Sequence, residues 1–176
     1  MSDSFRYPTT TILLHWLTAF LVASSWFVSQ IIDLWPRGAR MPVRSVHILL
    51  GLVLAVVILA RIALRLAGRA GIPPHDPGLL NRLARAAHLL LYVLVIVEIV
   101  FGLANSWVRG ESFFGLVTIA PFDPANRTLR QLVGDLHEIT ANAILIVAGG
   151  HAAAALLHHY VLRDNILRRM LPGGSH

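Results

Sequence analysis

The sequence predicts an all-α protein: a four-helix bundle whose helices cross a membrane, folded as one domain over residues 1–176. Three observations carry that prediction. Of 176 residues, 56% are hydrophobic and only 14% charged, with a mean hydropathy of +0.66; a soluble domain carries about a quarter charged residues. The apolar residues fall in four long runs, each near the roughly 20 residues that a helix needs to span hydrocarbon. The stretches between the runs are dense in proline and glycine, which punctuate helices.

The first span covers residues 11–32. It is too long for the apolar part of a cleaved signal, and "LVASSW" is only a weak cleavage-like site, so the segment is read as a helix that stays. "DLWPRGARMP" (33–42) forms a turn-rich loop before the second span, 45–66. "GRAGIPPHDPG" (68–78) separates this from the third, 83–105. The connection from 106 to 131 is the longest, and its "SFFGLVTIAPF" is apolar but short; it is expected to lie along the membrane interface. The fourth span covers 132–162.

The formal charge of +6 comes from arginine alone. In a membrane chain it bears on topology and surface potential before nucleic acid. With the N-terminus cytoplasmic, nine arginines fall on the inner side and six on the outer, a bias that favours both termini inside. Trp35 and Trp107 then lie at the outer interface, where aromatic anchors gather.

Cysteine is absent, which excludes disulfides, thiolate-held clusters and covalent haem attachment. Histidine is plentiful where it is costly. His137 and His151 are 14 residues apart, close to four whole turns, so they share a helix face about 21 Å apart along the axis. Sorted by depth, His47 and His137 form an outer layer, while His15 and His151, with His88 as a competitor, form an inner one. Two histidines on different helices at one depth can hold an iron axially, and two such layers point to two b-type haems stacked across the membrane. Small residues at every seventh position of the fourth span (Gly134, Ala141, Ala148, Ala155) and Gly51, one turn after His47, leave room for a flat macrocycle; they also suit ordinary helix packing.

Arg61, 14 residues after His47, lies at the depth of the inner layer, with Arg44 and Arg130 near the outer one. These are candidate partners for haem propionates, the alternative for Arg61 being a side chain run out to the surface. Glu98 is the one carboxylate well inside a span, and the sequence does not choose its partner. His158, about 10 Å below His151 on the same face, suits a quinone pocket better than a ligand site. His75 and His176 are read as incidental.

"LLHWLT" around His15, "SVHILLG" around His47, "LHEITAN" around His137, the loop "FFGL" and the C-terminal "GGHAAAALLHHYVLRDNILRRMLP" together resemble the bacterial cytochrome b561 family. These are small four-helix dihaem proteins of the inner membrane that include superoxide oxidase. The resemblance covers nearly the whole chain. It implies His15 with His151 for the inner haem and His47 with His137 for the outer. It also implies a quinone site by the inner haem, for which His158, Arg163, Asp164, Asn165 and His88 are candidates. The function expected on this basis is oxidation of superoxide at the outer face and reduction of ubiquinone near the cytoplasmic face, with no protein partner required. Arg37, Arg40, Arg109, Arg127 and Arg130 could steer the superoxide anion inward. Two other readings stay open. The chain could anchor a partner dehydrogenase or hydrogenase and pass its electrons to quinone. It could instead be a haem-free, histidine-lined transporter of metal ions or protons.

Overall fold

The computed structural model describes residues 6–71 and 78–172; His75 and His176 lie outside them. Four long helices run Thr9–Ile31 (α1), Arg40–Leu66 (α2), Leu79–Arg109 (α3) and Arg127–Tyr160 (α4). Each contains a stretch long and apolar enough to cross a membrane. Large apolar side chains such as Phe20, Val56, Leu59, Leu89 and Ile146 face outward along them, which in water would be a liability and in lipid is the expected surface.

The helices overrun the expected spans, most clearly at the starts of α2, α3 and α4. Hydropathy marks only the part matched to hydrocarbon, whereas backbone hydrogen bonding continues into the polar zone. There Arg40, Arg82, Arg109 and Arg127 occupy the end turns, where a long stem can follow apolar surface while its charge reaches the polar zone. Pro42 falls in the first turn of α2, where a missing N–H costs nothing. Each stop has a cause. Past α2, Gly68 takes φ +69°, its N–H bonds the Arg65 carbonyl and the Arg69 N–H bonds Leu64, the paired closure that a left-handed residue permits. Gly110 ends α3 in the same region at φ +68°. Asn126 opens α4 by accepting the Leu129 N–H at 2.9 Å.

The apolar segment after α3 does not cross. It folds into a two-stranded antiparallel hairpin, β1 (Ser112–Phe113) against β2 (Val117–Thr118), with Phe113 opposite Val117. Phe114 and Gly115 both take positive φ at its tip, as tight hairpin turns require. The hairpin is fastened to the start of α2 by Ser45. This fully buried hydroxyl accepts the Phe114 N–H at 2.9 Å and lies 2.9 Å from the Met41 carbonyl and 3.2 Å from that of Ser112.

The bundle is two helix pairs. α1 packs along α2, and α3 along α4; α2 approaches α3 much less, and α4 scarcely approaches α1 or α2 at backbone level. What closes the space midway is one apolar layer drawn from all four helices: Leu21, Leu54, Val57, Ile58, Val95 and Ile144. Ile144 stands seven residues from His137 and seven from His151. The core therefore separates two polar levels, one near the hairpin and one near the chain termini.

Candidate functional site: two histidine layers across a split bundle

At the hairpin end, His47 from α2 faces His137 from α4 with ring centres 6.0 Å apart and planes at 83°. At the terminal end, His15 from α1 faces His151 from α4 at 6.4 Å and 71°. Both pairs bridge the gap between the two helix pairs, where the backbones stay apart. Two imidazoles on opposite sides of one iron have ring centres roughly 6 Å apart, given about 2 Å per metal–nitrogen bond. Both pairs match that spacing. His88 does not: its ring lies 4.9 Å from that of His151, too near for an iron between them and right for direct ring contact. The inner-layer ambiguity of the sequence is thereby narrowed on geometry.

The tautomer of His47 agrees. His47 Nδ1 lies 3.0 Å from the Ser25 carbonyl and 3.2 Å from its hydroxyl. A carbonyl can only accept, so Nδ1 carries the hydrogen and Nε2 keeps its lone pair for a metal. His137 Nδ1 sits 3.1 Å from Glu98 Oε1. That is close enough for attraction but off the line a hydrogen bond needs, so His137 Nδ1 and Glu98 Oε2 both remain buried without a hydrogen-bond partner. Trp26 Nε1, next to Ser25 in sequence, is a third such orphan. A Cβ placed on Gly51, one turn from His47, would meet nothing within 4 Å. Open space beside the hairpin-end pair is what a flat macrocycle needs; at the terminal end the fit rests on the ring spacing. The residues present fit two b-type haems. Among the described residues no three His, Asp or Glu side chains converge to hold a metal ion. A bare ion takes about four protein donors, whereas a haem iron asks for two.

The arginines divide. Arg61 turns into the bundle: Nη1 donates to Thr18 Oγ1 at 2.9 Å and the guanidinium lies 5.2 Å over the Tyr92 ring. It does not run out to the surface. Arg44 pairs with Glu111 at 2.9 Å and Arg40 with Asp33 at 2.8 Å, so each has a carboxylate partner. Arg109 donates to the neutral Asn105 amide at 2.7 Å and lies across Gly134, where a Cβ would come within 2.8 Å of Nη2. Arg37 and Arg127 are exposed and Arg130 half-buried, all at the hairpin end.

At the terminal end the chain folds back over α1. Trp16 Nε1 donates to the Met170 carbonyl at 2.7 Å and Arg6 to that of Leu171 at 3.1 Å. Just past α4, His158 Nδ1 meets Asp164 Oδ2 at 2.5 Å, and Asp164 Oδ1 accepts the Ile166 N–H. Partial burial acts to raise the Asp164 pKa, but the bonds from His158 and Ile166 together with Arg169 outweigh it and hold the carboxyl below its ordinary value. A cavity of about 400 Å³ is lined by His159, Tyr160, Arg163, Asp164, Asn165 and Arg168. Of the expected quinone residues, three line this cavity and His158 reaches it through Asp164. His88 lies elsewhere, against His151.

Sequence reasoning missed Ser25, Thr18 and Glu111, each of which serves a candidate side chain from another element, and Ser45, which fastens the hairpin. It had no means of pairing Glu98 with His137.

A split four-helix membrane bundle with one histidine pair at each end is the architecture of a b-type membrane cytochrome. The sequence pattern that defines the family described as prokaryotic cytochrome b561 matches residues 6–173, and the chain belongs to that family. It is 34% identical to the probable superoxide oxidase CybB of Yersinia pestis, over 95% of this chain and 96% of that one. It is 30% identical to cytochrome b561 homolog 1 of Escherichia coli K12, over 95% and 97%. With cytochrome b562 of Cereibacter sphaeroides it shares 27% identity over 97% and 98%. Membership makes this a multi-pass bacterial membrane protein of electron transfer, in a family that carries b-type haem.

Proposed function

We propose that the protein is a dihaem cytochrome that takes electrons from superoxide at the outer face of the bacterial inner membrane and delivers them to ubiquinone near the cytoplasmic face. Both termini are then cytoplasmic, residues 1–176 form one domain, the hairpin end is outer and the terminal end inner. The observation that carries this reading is the pair of cross-split histidine couples, His47–His137 and His15–His151, at iron-sharing separations. Likeness to a probable superoxide oxidase supports the choice of donor.

When bound, the haems supply one-electron transfer between the layers. The chain does the rest. His47 and His137 would hold the outer haem and His15 and His151 the inner one, with His47 offering Nε2. Held by two histidines each, the haems would supply electron transfer without binding oxygen. Ile144 and its neighbours keep water out of the space between the layers. Arg61 at the inner level and Arg130 at the outer are placed to take propionates; Arg44 can do so only while sharing its guanidinium with Glu111. Arg37, Arg109 and Arg127, which lack a carboxylate partner among the contacts described above, give the outer end the positive field that steers a small anion. Two superoxide anions each lose one electron and leave as dioxygen; one ubiquinone gains two electrons and two protons. His158, oriented by Asp164, presents its other nitrogen to the quinone, with Arg163 and Asn165 beside it.

Purified protein mixed with superoxide and a short-chain ubiquinone should consume the first and reduce the second in a two-to-one ratio. Raising the salt concentration should slow the reaction. Haem-containing protein that is inert toward superoxide, yet reduces quinone when given electrons by a dehydrogenase, would assign it instead to the membrane-anchor role. A colourless preparation with bound zinc or copper would favour the transporter.

A further inference from the structure

Glu98 has no part in that reaction, yet its position in the fold is costly and specific. A carboxylate inside a membrane span needs a partner, and its Oε1 has one candidate, His137 Nδ1 at 3.1 Å. Their side chains are only 15% and 20% exposed. Each also retains a buried atom without a hydrogen-bond partner, His137 Nδ1 itself and Glu98 Oε2. A modest turn of the imidazole aims the His137 Nδ1–H at the Glu98 carboxylate, because the ring torsion of histidine is soft. One turn along α3 from Glu98, Gly102 makes the room: a Cβ there would stand 3.2 Å from His137 Cε1. Glu98 and Gly102 thus form a seat on α3 for a ring that belongs to α4.

Resting on the dihaem reading, we infer that Glu98 is a positioning residue for the hairpin-layer haem. Its carboxylate takes the Nδ1–H of His137, fixes the tautomer that leaves Nε2 free, and makes that imidazole a stronger electron donor to iron. A carboxylate behind a ligating histidine does this in metal sites generally, and a negative charge nearby favours the ferric form. Among the described residues no carboxylate pairs with the other three ligand histidines. His47 is backed by the neutral Ser25 carbonyl. His151 abuts the His88 ring, and Arg61 is bonded to Thr18, one turn from His15 on α1. A carboxylate at one layer and a guanidinium at the other set the hairpin-layer potential below the terminal-layer potential. Electrons then run downhill from hairpin end to terminal end.

The test is an optical redox titration of purified holoprotein carrying Glu98→Gln or Glu98→Leu, each with a haem count. The Gln variant keeps the shape and an acceptor oxygen while removing the charge, so it remains informative if the Leu variant folds poorly. Both variants should retain two haems, with one midpoint shifted upward, more in Leu than in Gln, and the other unmoved. Repeating the titration in a His15→Ala background, which retains only the hairpin-layer haem, should show the shift in the single remaining midpoint. Two unchanged midpoints in fully loaded Glu98→Gln and Glu98→Leu would overturn the inference while leaving the dihaem reading intact. A wild-type protein without haem would instead overturn the reading beneath it.

Discussion

The two histidine layers are built from the same parts and differ in what surrounds them. At the hairpin layer the pair is backed by a backbone carbonyl and a carboxylate, and roofed by a β-hairpin pinned through Ser45 and the Arg44–Glu111 ion pair. At the terminal layer it is crowded by a third imidazole and by a guanidinium fixed to Thr18, and covered by the returning C-terminal tail. The hairpin layer has a carboxylate beside its histidines and a hairpin over them; the terminal layer has a guanidinium nearby and the returning tail over it. On the dihaem reading proposed above, the difference teaches that ligation and tuning would be separable: the histidines would define the sites, and the neighbours would make them unequal.

The largest effects come from removing the pairs. His47→Ala or His137→Ala should halve the haem content measured by pyridine haemochrome and leave the terminal-layer haem in place. His15→Ala or His151→Ala should do the converse, and His88→Ala should leave the count unchanged. If a hairpin-layer substitution instead removed the terminal-layer haem, the pairing across the split would be wrong.

Next comes Arg61→Leu, which deletes a charged hydrogen bond worth about 1.5–3 kcal/mol and the cation over Tyr92. Thermal unfolding in detergent should shift down, and the terminal-layer midpoint should fall while the hairpin-layer midpoint holds. Arg61→Lys should recover part of the potential and less of the stability, since a point charge cannot reproduce the planar contact. Ser45→Ala is smaller. It leaves the Phe114 N–H without its acceptor, at about 1–2 kcal/mol, and should speed hydrogen exchange across residues 112–118 with little change in haem count.

The smallest effect is one of pH. The Asp164 carboxyl is held below its ordinary value in the folded chain. Its contribution to tail docking is therefore complete above the unfolded carboxylate range near about 4 and is lost as pH falls through the lower folded value. Proteolysis of the tail should accelerate only on that acidic side, and Asp164→Asn should make the fast rate independent of pH.

Much of this was legible before any coordinates. Four spans followed from apolar runs broken by proline and glycine, and the layers followed from fixed helical rise applied to His15, His47, His137 and His151. Helix ends were misjudged because hydropathy reports the hydrocarbon match, and Arg109 and Arg127 remain helical beyond it. The hairpin at Ser112–Thr118 was read only as interfacial, since two short strands leave no periodic trace. What stayed hidden was every contact joining residues distant in sequence: Arg61 to Thr18, Ser45 to Phe114, Glu98 to His137. Spacing along one helix says which face a side chain takes, but not which residue of another helix waits there. His88 shows the same limit, being placed at the right depth yet set against His151 by how α3 leans on α4.

The central claim is that each histidine couple clasps its own haem. Haem stoichiometry of the purified protein, measured for the wild type beside His137→Ala and His151→Ala, tests it most directly. Two low-spin haems per chain falling to one in either variant is the expected result. A single haem in the wild type, or loss of both on either substitution, would contradict it.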